Sequence, residues 1–160
     1  MSARRIIILG NAGSGKATLA RRTSRLLSIP RLDLDAIAWE APAVRREMGA
    51  ALALLGAFVA ENPEWVIDGC YGDLVAEALP RCSELWFLNP GVEACVENCR
   101  ARPWEPSKFR SKSEQDAMLG ARLDWVRQYE TRDDEYGLSR HRAVFDGFRG
   151  RKKEYRTPPP

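Results

Sequence analysis

The chain contains one histidine, four cysteines with no Cys-x-x-Cys pair, and little net charge, +3 over 160 residues. Each scarcity excludes something. A lone His141 far from Cys70, Cys82, Cys95 and Cys99 offers no zinc-type ligand set, so the cysteines read as buried, reduced thiols of an intracellular chain. The small charge argues against a non-specific nucleic-acid partner, which would show a larger, clustered basic excess. No apolar run approaches the roughly 20 residues that span a bilayer, so no membrane partner is expected. Only four strongly apolar residues, Ile6-Ile7-Ile8-Leu9, precede Gly10. That is too short for the core of a signal peptide, and a cytoplasmic location is expected. What is present is ordinary for a globular domain: 44% hydrophobic and 29% charged residues. The length suits one domain with a real core, and neither repeats nor a linker divide it.

Apolar strands alternate with helical patterns. Arg4 to Leu9 is a continuous β-branched run, the signature of a strand buried on both faces. A helix follows over 16–27, with Leu19, Thr23, Leu26 and Leu27 facing inward. Arg31 to Leu34 is a short second strand. Residues 36–42 read as a loop, and Val44 to Glu61 as an alanine- and leucine-rich helix stopped by Asn62-Pro63. Trp65-Val66-Ile67 and Leu85 to Leu88 are further strands, with a short helix, Asp73 to Leu79, between them. A helix over 92–102 precedes a break at Pro103 and Pro106. Two long helices are predicted over 113–130 and 132–148, with His141 on an exposed polar face. A fifth strand is placed over 153–156, and Pro158-Pro159-Pro160 reads as a frayed tail. Such alternation predicts a parallel sheet with helices on both faces and ligands beyond the carboxyl ends of the strands.

The chemistry sits at those ends. In Gly10-Asn11-Ala12-Gly13-Ser14-Gly15-Lys16-Ala17-Thr18, glycines let successive N–H groups turn toward one centre. The helix that begins at Lys16 adds its positive end, and the lysine adds a full charge. Strand, glycine loop, lysine and helix in this order form a phosphate-binding loop for a nucleoside triphosphate. The residue after the lysine, where a hydroxyl usually meets magnesium, is Ala17; Thr18 comes one place later.

At the end of the second strand, Leu32-Asp33-Leu34-Asp35 places two acids on one side of the strand, because strand side chains alternate. Asp35 would orient an acceptor hydroxyl or take its proton; it could equally cap a turn. Val66-Ile67-Asp68-Gly69 ends the third strand in another acid. From 100 to 112 five cations, Arg100, Arg102, Lys108, Arg110 and Lys112, stand against the single acid Glu105. A basic segment between helices suits a mobile lid that closes over a phosphoryl group, with Arg100 and Arg102 as first candidates and Arg110 next. Trp65 and Trp86 read as core. Trp39 flanks the acceptor side, where Arg45 or Arg46 could meet an anion.

These segments resemble known kinases. Gly-Lys-Ala-Thr is similar to the Gly-Lys-Gly-Thr of adenylate kinases, and Asp33-Leu34-Asp35 resembles the Asp-x-Asp of shikimate kinase. That likeness implies Asp33 near magnesium and Asp35 on the acceptor hydroxyl. Asp68-Gly69 is similar to the Asp-Gly of nucleoside monophosphate kinases, where the acid holds metal-bound water. No arginine follows Asp68 within four residues, unlike those kinases, which argues against a nucleoside monophosphate acceptor. Together GNAGSGKAT, LDLDAIAWE, WVIDGCYGDL, LWFLNP, NCRARPW and LDWVRQYETR resemble the bacterial DNA topology modulation proteins (FlaR-related), small relatives of adenylate kinase. The resemblance implies a three-layer α/β/α phosphate-loop kinase domain over residues 1–157 with strand order 2-3-1-4-5. An acceptor-binding region would cover about 36–62 and a lid about 100–113. It implies ATP as phosphoryl donor, magnesium near Thr18, Asp33 and Asp68, and a small-molecule acceptor. A nucleotide-dependent regulator with little transfer activity, or an NTPase without acceptor, are the alternatives.

Overall fold

In a computed structural model that describes residues 2–157, the strand-and-helix alternation becomes a parallel sheet with helices on both sides. The proline tail lies outside the described residues. The strands are β1 (Arg5–Gly10), β2 (Arg31–Asp33), a small hairpin β3 (Trp39–Ala41) and β4 (Val44–Arg45), β5 (Trp65–Gly69), β6 (Glu84–Leu88) and β7 (Arg151–Tyr155). The helices are α1 (Lys16–Leu27), α2 (Asp35–Ala38), α3 (Met48–Glu61), α4 (Gly72–Ala78), α5 (Val92–Arg100), α6 (Lys112–Arg127) and α7 (Leu138–Gly147).

The main sheet runs β2-β5-β1-β6-β7, and every pair in it is parallel. Counted without the hairpin, this is the expected order. The centre is dry: Ile6, Ile7, Ile8, Leu9, Trp65, Val66 and Ile67 are fully buried. Alternation divides them. Ile7, Leu9, Trp65 and Ile67 face α2, α3, α4 and α7, whereas Ile6, Ile8 and Val66 face α1 through Leu19 and Ala20. A third cluster joins α5 and α6 around Ala12 of the glycine loop, through Cys95, Cys99, Leu123 and Val126. All four cysteines are free thiols.

Five expectations need correction. Residues 35–38 are a helical turn, not loop, and 39–45 form a hairpin instead of opening α3. Arg45 donates to the Ala38 carbonyl at 2.7 Å and the Glu47 carboxylate takes the Gly49 and Ala50 amides at 2.8 and 3.0 Å, so the helix starts only after this cap. The last helix begins at Leu138, since Asp134 takes the Tyr136 amide at 3.0 Å and holds a turn before Gly137. Leu26 is exposed. His141 is fully buried, with Nδ1 2.7 Å from the Tyr129 hydroxyl and Nε2 2.8 Å from the Cys70 carbonyl.

Candidate active site

The glycine loop leaves β1 at Gly10 and enters α1 at Lys16. Gly13 and Gly15 take φ of 79° and 96°, a region that side chains with a Cβ avoid. Space excludes a side chain as well: a Cβ on Gly13 would lie 2.3 Å from the Cys95 carbonyl oxygen and 2.7 Å from Cys99 Sγ. The loop is held from outside. Asn98 Nδ2 donates to the Gly13 carbonyl at 2.8 Å, and Asn11 Nδ2 to the Val126 carbonyl at 3.3 Å. Lys16 Nζ spans the loop and donates to the Asn11 carbonyl at 2.8 Å. The amides of Gly13, Gly15, Lys16, Ala17 and Thr18 have no acceptor among the described residues, and Ser14 Oγ is buried without a partner. Gly13 and Ser14 are buried, and buried donors without acceptors are costly. An anion seated here would satisfy them, so the loop fits a polyphosphate.

The other wall is built on Asp35. It lies in the first turn of α2, not on β2, so strand alternation does not set its direction. Instead Asp33 turns back and accepts the Asp35 amide at 2.9 Å, so the capping is done by Asp33. Asp35 accepts the Tyr71 hydroxyl at 2.5 Å on one oxygen and Lys108 Nζ at 2.9 Å on the other. Trp39 Nε1 donates to the same Tyr71 oxygen at 2.8 Å. Burial works against ionisation of Asp35, but Lys108, Tyr71 and the more distant Lys16 hold its carboxyl below the usual carboxylate range. Asp33 goes the other way, raised by burial and by its acidic neighbours Asp35 and Asp68.

Cys70 follows the end of β5, the strand between β1 and β2 in the sheet. Burial pushes its thiol up to about 11, while Lys16 and Arg122 pull it back and Asp35 adds to the rise. Arg122, from α6, keeps its Nε buried without a partner.

The segment expected to form a lid runs over 101–111, between α5 and α6. Gln115 clasps it, accepting the Glu105 amide at 2.8 Å and donating to the Pro103 carbonyl at 3.1 Å. Its cation at the site is Lys108. Arg100 is bound to Glu97 at 2.8 Å, Arg102 lies 3.8 Å from Glu105, and Arg110 is exposed. Arg45 and Arg46 spend their guanidinium groups on the carbonyls of Ile37, Ala38 and Trp39. Sequence reasoning gave no specific role to Lys108, Tyr71 or Arg122. Lys108 was one cation in a basic run, and only the fold singles it out.

The metal side is different. Asp68 has both oxygens in a fork with Arg31, at 2.8 and 2.9 Å, and its side chain is 3% exposed. Asp33 lies 3.5 Å from the same guanidinium. Thr18 is exposed and Ala17 has no hydroxyl. No group of three or more His, Cys, Asp or Glu among the described residues is placed to hold a metal. As arranged, these side chains do not fit a metal bound directly by the protein.

No protein-family model matches the chain, and no curated protein matches it. Solved structures do. A gluconokinase from Sinorhizobium meliloti 1021 superposes with a TM-score of 0.50 at 18% identity, covering 97% of this chain and 84% of its own. A sugar kinase from Janibacter sp. HTCC2649 gives 0.51 at 13% identity, covering 98% and 87%. A shikimate kinase from Bacteroides thetaiotaomicron gives 0.48 at 22% identity, covering 89% and 97%, too loose to weigh further. The chain has the fold of small phosphate-loop kinases. Among its described helices none is long and apolar enough to cross a membrane.

Proposed function

We propose that this protein is an ATP-dependent small-molecule kinase that transfers the γ-phosphoryl group of ATP to a hydroxyl of a small acceptor. The observation that carries the reading is the sheet order: the glycine loop with Lys16 follows β1 and Asp35 follows β2, on either side of β5 at one end of the parallel sheet. A donor cradle and a carboxylate able to orient a hydroxyl thus lie at the same end of the sheet, two strands apart. Phosphoryl transfer asks the protein chiefly for positioning and for cancellation of charge. Residues 10–18 would hold the triphosphate through unpaired amides, with Lys16 on its outer phosphates. Asp35 would receive the acceptor hydroxyl in place of Lys108. Arg122, together with Arg100 and Arg102 when the lid moves, would offset the charge of the transferred group. The fold likeness to kinases and the resemblance to the DNA topology modulation proteins point the same way.

One observation favours a second reading. Lys108 already occupies Asp35 with the lid in place. A lid clamped on its own carboxylate suits a nucleotide-dependent switch with slow transfer. The two separate on one experiment: incubation with ATP and pooled nucleosides, sugars and small acids. The kinase reading expects a new phosphorylated product and strong stimulation of ATP turnover by one pool, both abolished in Lys16→Ala. Tight ATP binding that no pool stimulates would leave the switch.

A further inference from the structure

Asp33 and Asp68 stand opposite each other in the parallel register of β2 and β5. Two acids in register at adjacent strand ends repel, and one of them is almost wholly buried. Something must neutralise them. Arg31 sits two residues before Asp33, on the same face of β2, because strand side chains repeat with period 2. From there its guanidinium forks onto both oxygens of Asp68 at 2.8 and 2.9 Å and reaches Asp33 at 3.5 Å. This face of the sheet is the one α1 covers, since Val66, two residues before Asp68, packs there with Leu19 and Ala20. The acids therefore lie under the helix that follows the glycine loop. That is where the sequence led us to expect magnesium.

We infer that Arg31 is the resident cation of this pair and takes the place of a divalent ion there. The planar fork matches a carboxylate in a way a point charge does not. With Asp68 saturated by it, and with Asp33 held 3.5 Å from the same guanidinium on one oxygen and accepting the Asp35 amide on the other, neither carboxylate is free for a metal at this position. An ion that accompanies a bound triphosphate is then held without these two carboxylates, chiefly by phosphate oxygens and water. This last consequence rests on the triphosphate reading of the loop; the assignment of Arg31 does not.

The test uses the full chain without nucleotide, heated in magnesium chloride or in sodium chloride of matched ionic strength. In the natural protein the two melting curves coincide. Arg31→Met leaves two uncompensated acids and melts lower. Magnesium, and not sodium, then raises its midpoint by about 4 °C, a size that fits binding of one ion. Manganese followed by electron paramagnetic resonance reads the same event directly, with affinity in the variant at least about tenfold above the natural protein. A merely structural role for Arg31 would lower the midpoint without any preference for divalent ions, and would overturn the assignment. So would tight manganese binding by the natural protein, a measurement that decides the matter even if Arg31→Met fails to fold. ATP titration beside these curves separates the failures. Absence of ATP binding with the ion behaviour as expected removes the kinase reading and leaves Arg31 in place.

Discussion

At the scale of single residues, Asp35 and His141 show how environment assigns roles that residue type alone does not. Asp35 keeps its charge because Lys108 and Tyr71 offset its burial. Asp35→Asn keeps shape and loses the negative acceptor. It should leave ATP affinity unchanged and lower acceptor-dependent turnover by about 10²–10⁴-fold, the usual contribution of a positioned acid or base; a steady-state assay with a competent acceptor checks both. His141 is driven the other way. Its imidazole is fully buried and its pKa falls to about 4 from 6.5, chiefly through burial. A base depressed in the folded state is neutral in both states above its unfolded value. Its full contribution is therefore present above pH 6.5 and is lost as pH falls toward 4. The loss is on the order of 3 kcal/mol. Denaturant unfolding between pH 7 and pH 4 should show this slope (about one proton taken up by the unfolded chain), and His141→Gln should flatten it. Neither environment could be read from the sequence. His141 sits among Arg140, Arg142 and Ser139, a pattern that predicts an exposed face. Its burial follows from Tyr129 and Cys70, which lie 12 and 71 residues away in the chain.

At the scale of elements, legibility tracks local information. The strand-loop-helix of 5–27 was evident because its signals are contiguous: a β-branched run, glycines at fixed spacing, then helical periodicity. The hairpin 39–45 was missed because its turn depends on Ala43 in a left-handed conformation, φ 64°, where glycine would have announced it. β7 was placed within two residues although it carries Arg151, Lys152 and Lys153, since an edge strand tolerates and uses charge. Arg142 and Arg156 pin its Glu154, whose carboxyl falls to about 2, led by the Arg142 bonds. The packing of α5 against the glycine loop was invisible in sequence, and it yields a firm prediction. Gly13→Ala must push a methyl into the Cys95 carbonyl and hold a positive φ. It should destabilise the fold by about 1–3 kcal/mol, the usual cost of such backbone strain. ATP binding should fall with it, as thermal melts with and without nucleotide would show. Gly91→Ala provides the contrast. It has a φ of 103° but nothing within 4 Å of a new Cβ, so it carries strain without a clash and lies outside the loop.

At the scale of the whole molecule, the three core clusters meet beside the glycine loop. β1 carries two of them on its opposite faces, and Ala12 belongs to the third. The loop is thus bonded to α5 through Asn98, to α6 through Asn11 and to the sheet through β1. Ligand that satisfies its free amides acts on all three layers at once, so its binding energy appears as stability of the entire chain and not of a local segment. At 100 times its dissociation constant ATP should stabilise by about 2.7 kcal/mol. For a chain of this size that is an upward shift of roughly 5–10 °C in the melting midpoint. The unfolding transition should stay single, because no part of the sheet can melt while the loop is held. Lys16→Ala should lose most of the shift while keeping the nucleotide-free midpoint, since Lys16 bonds only the Asn11 carbonyl in this state. A biphasic melt, with the α5–α6 layer released first, would show that the layers are coupled less tightly than their shared loop demands.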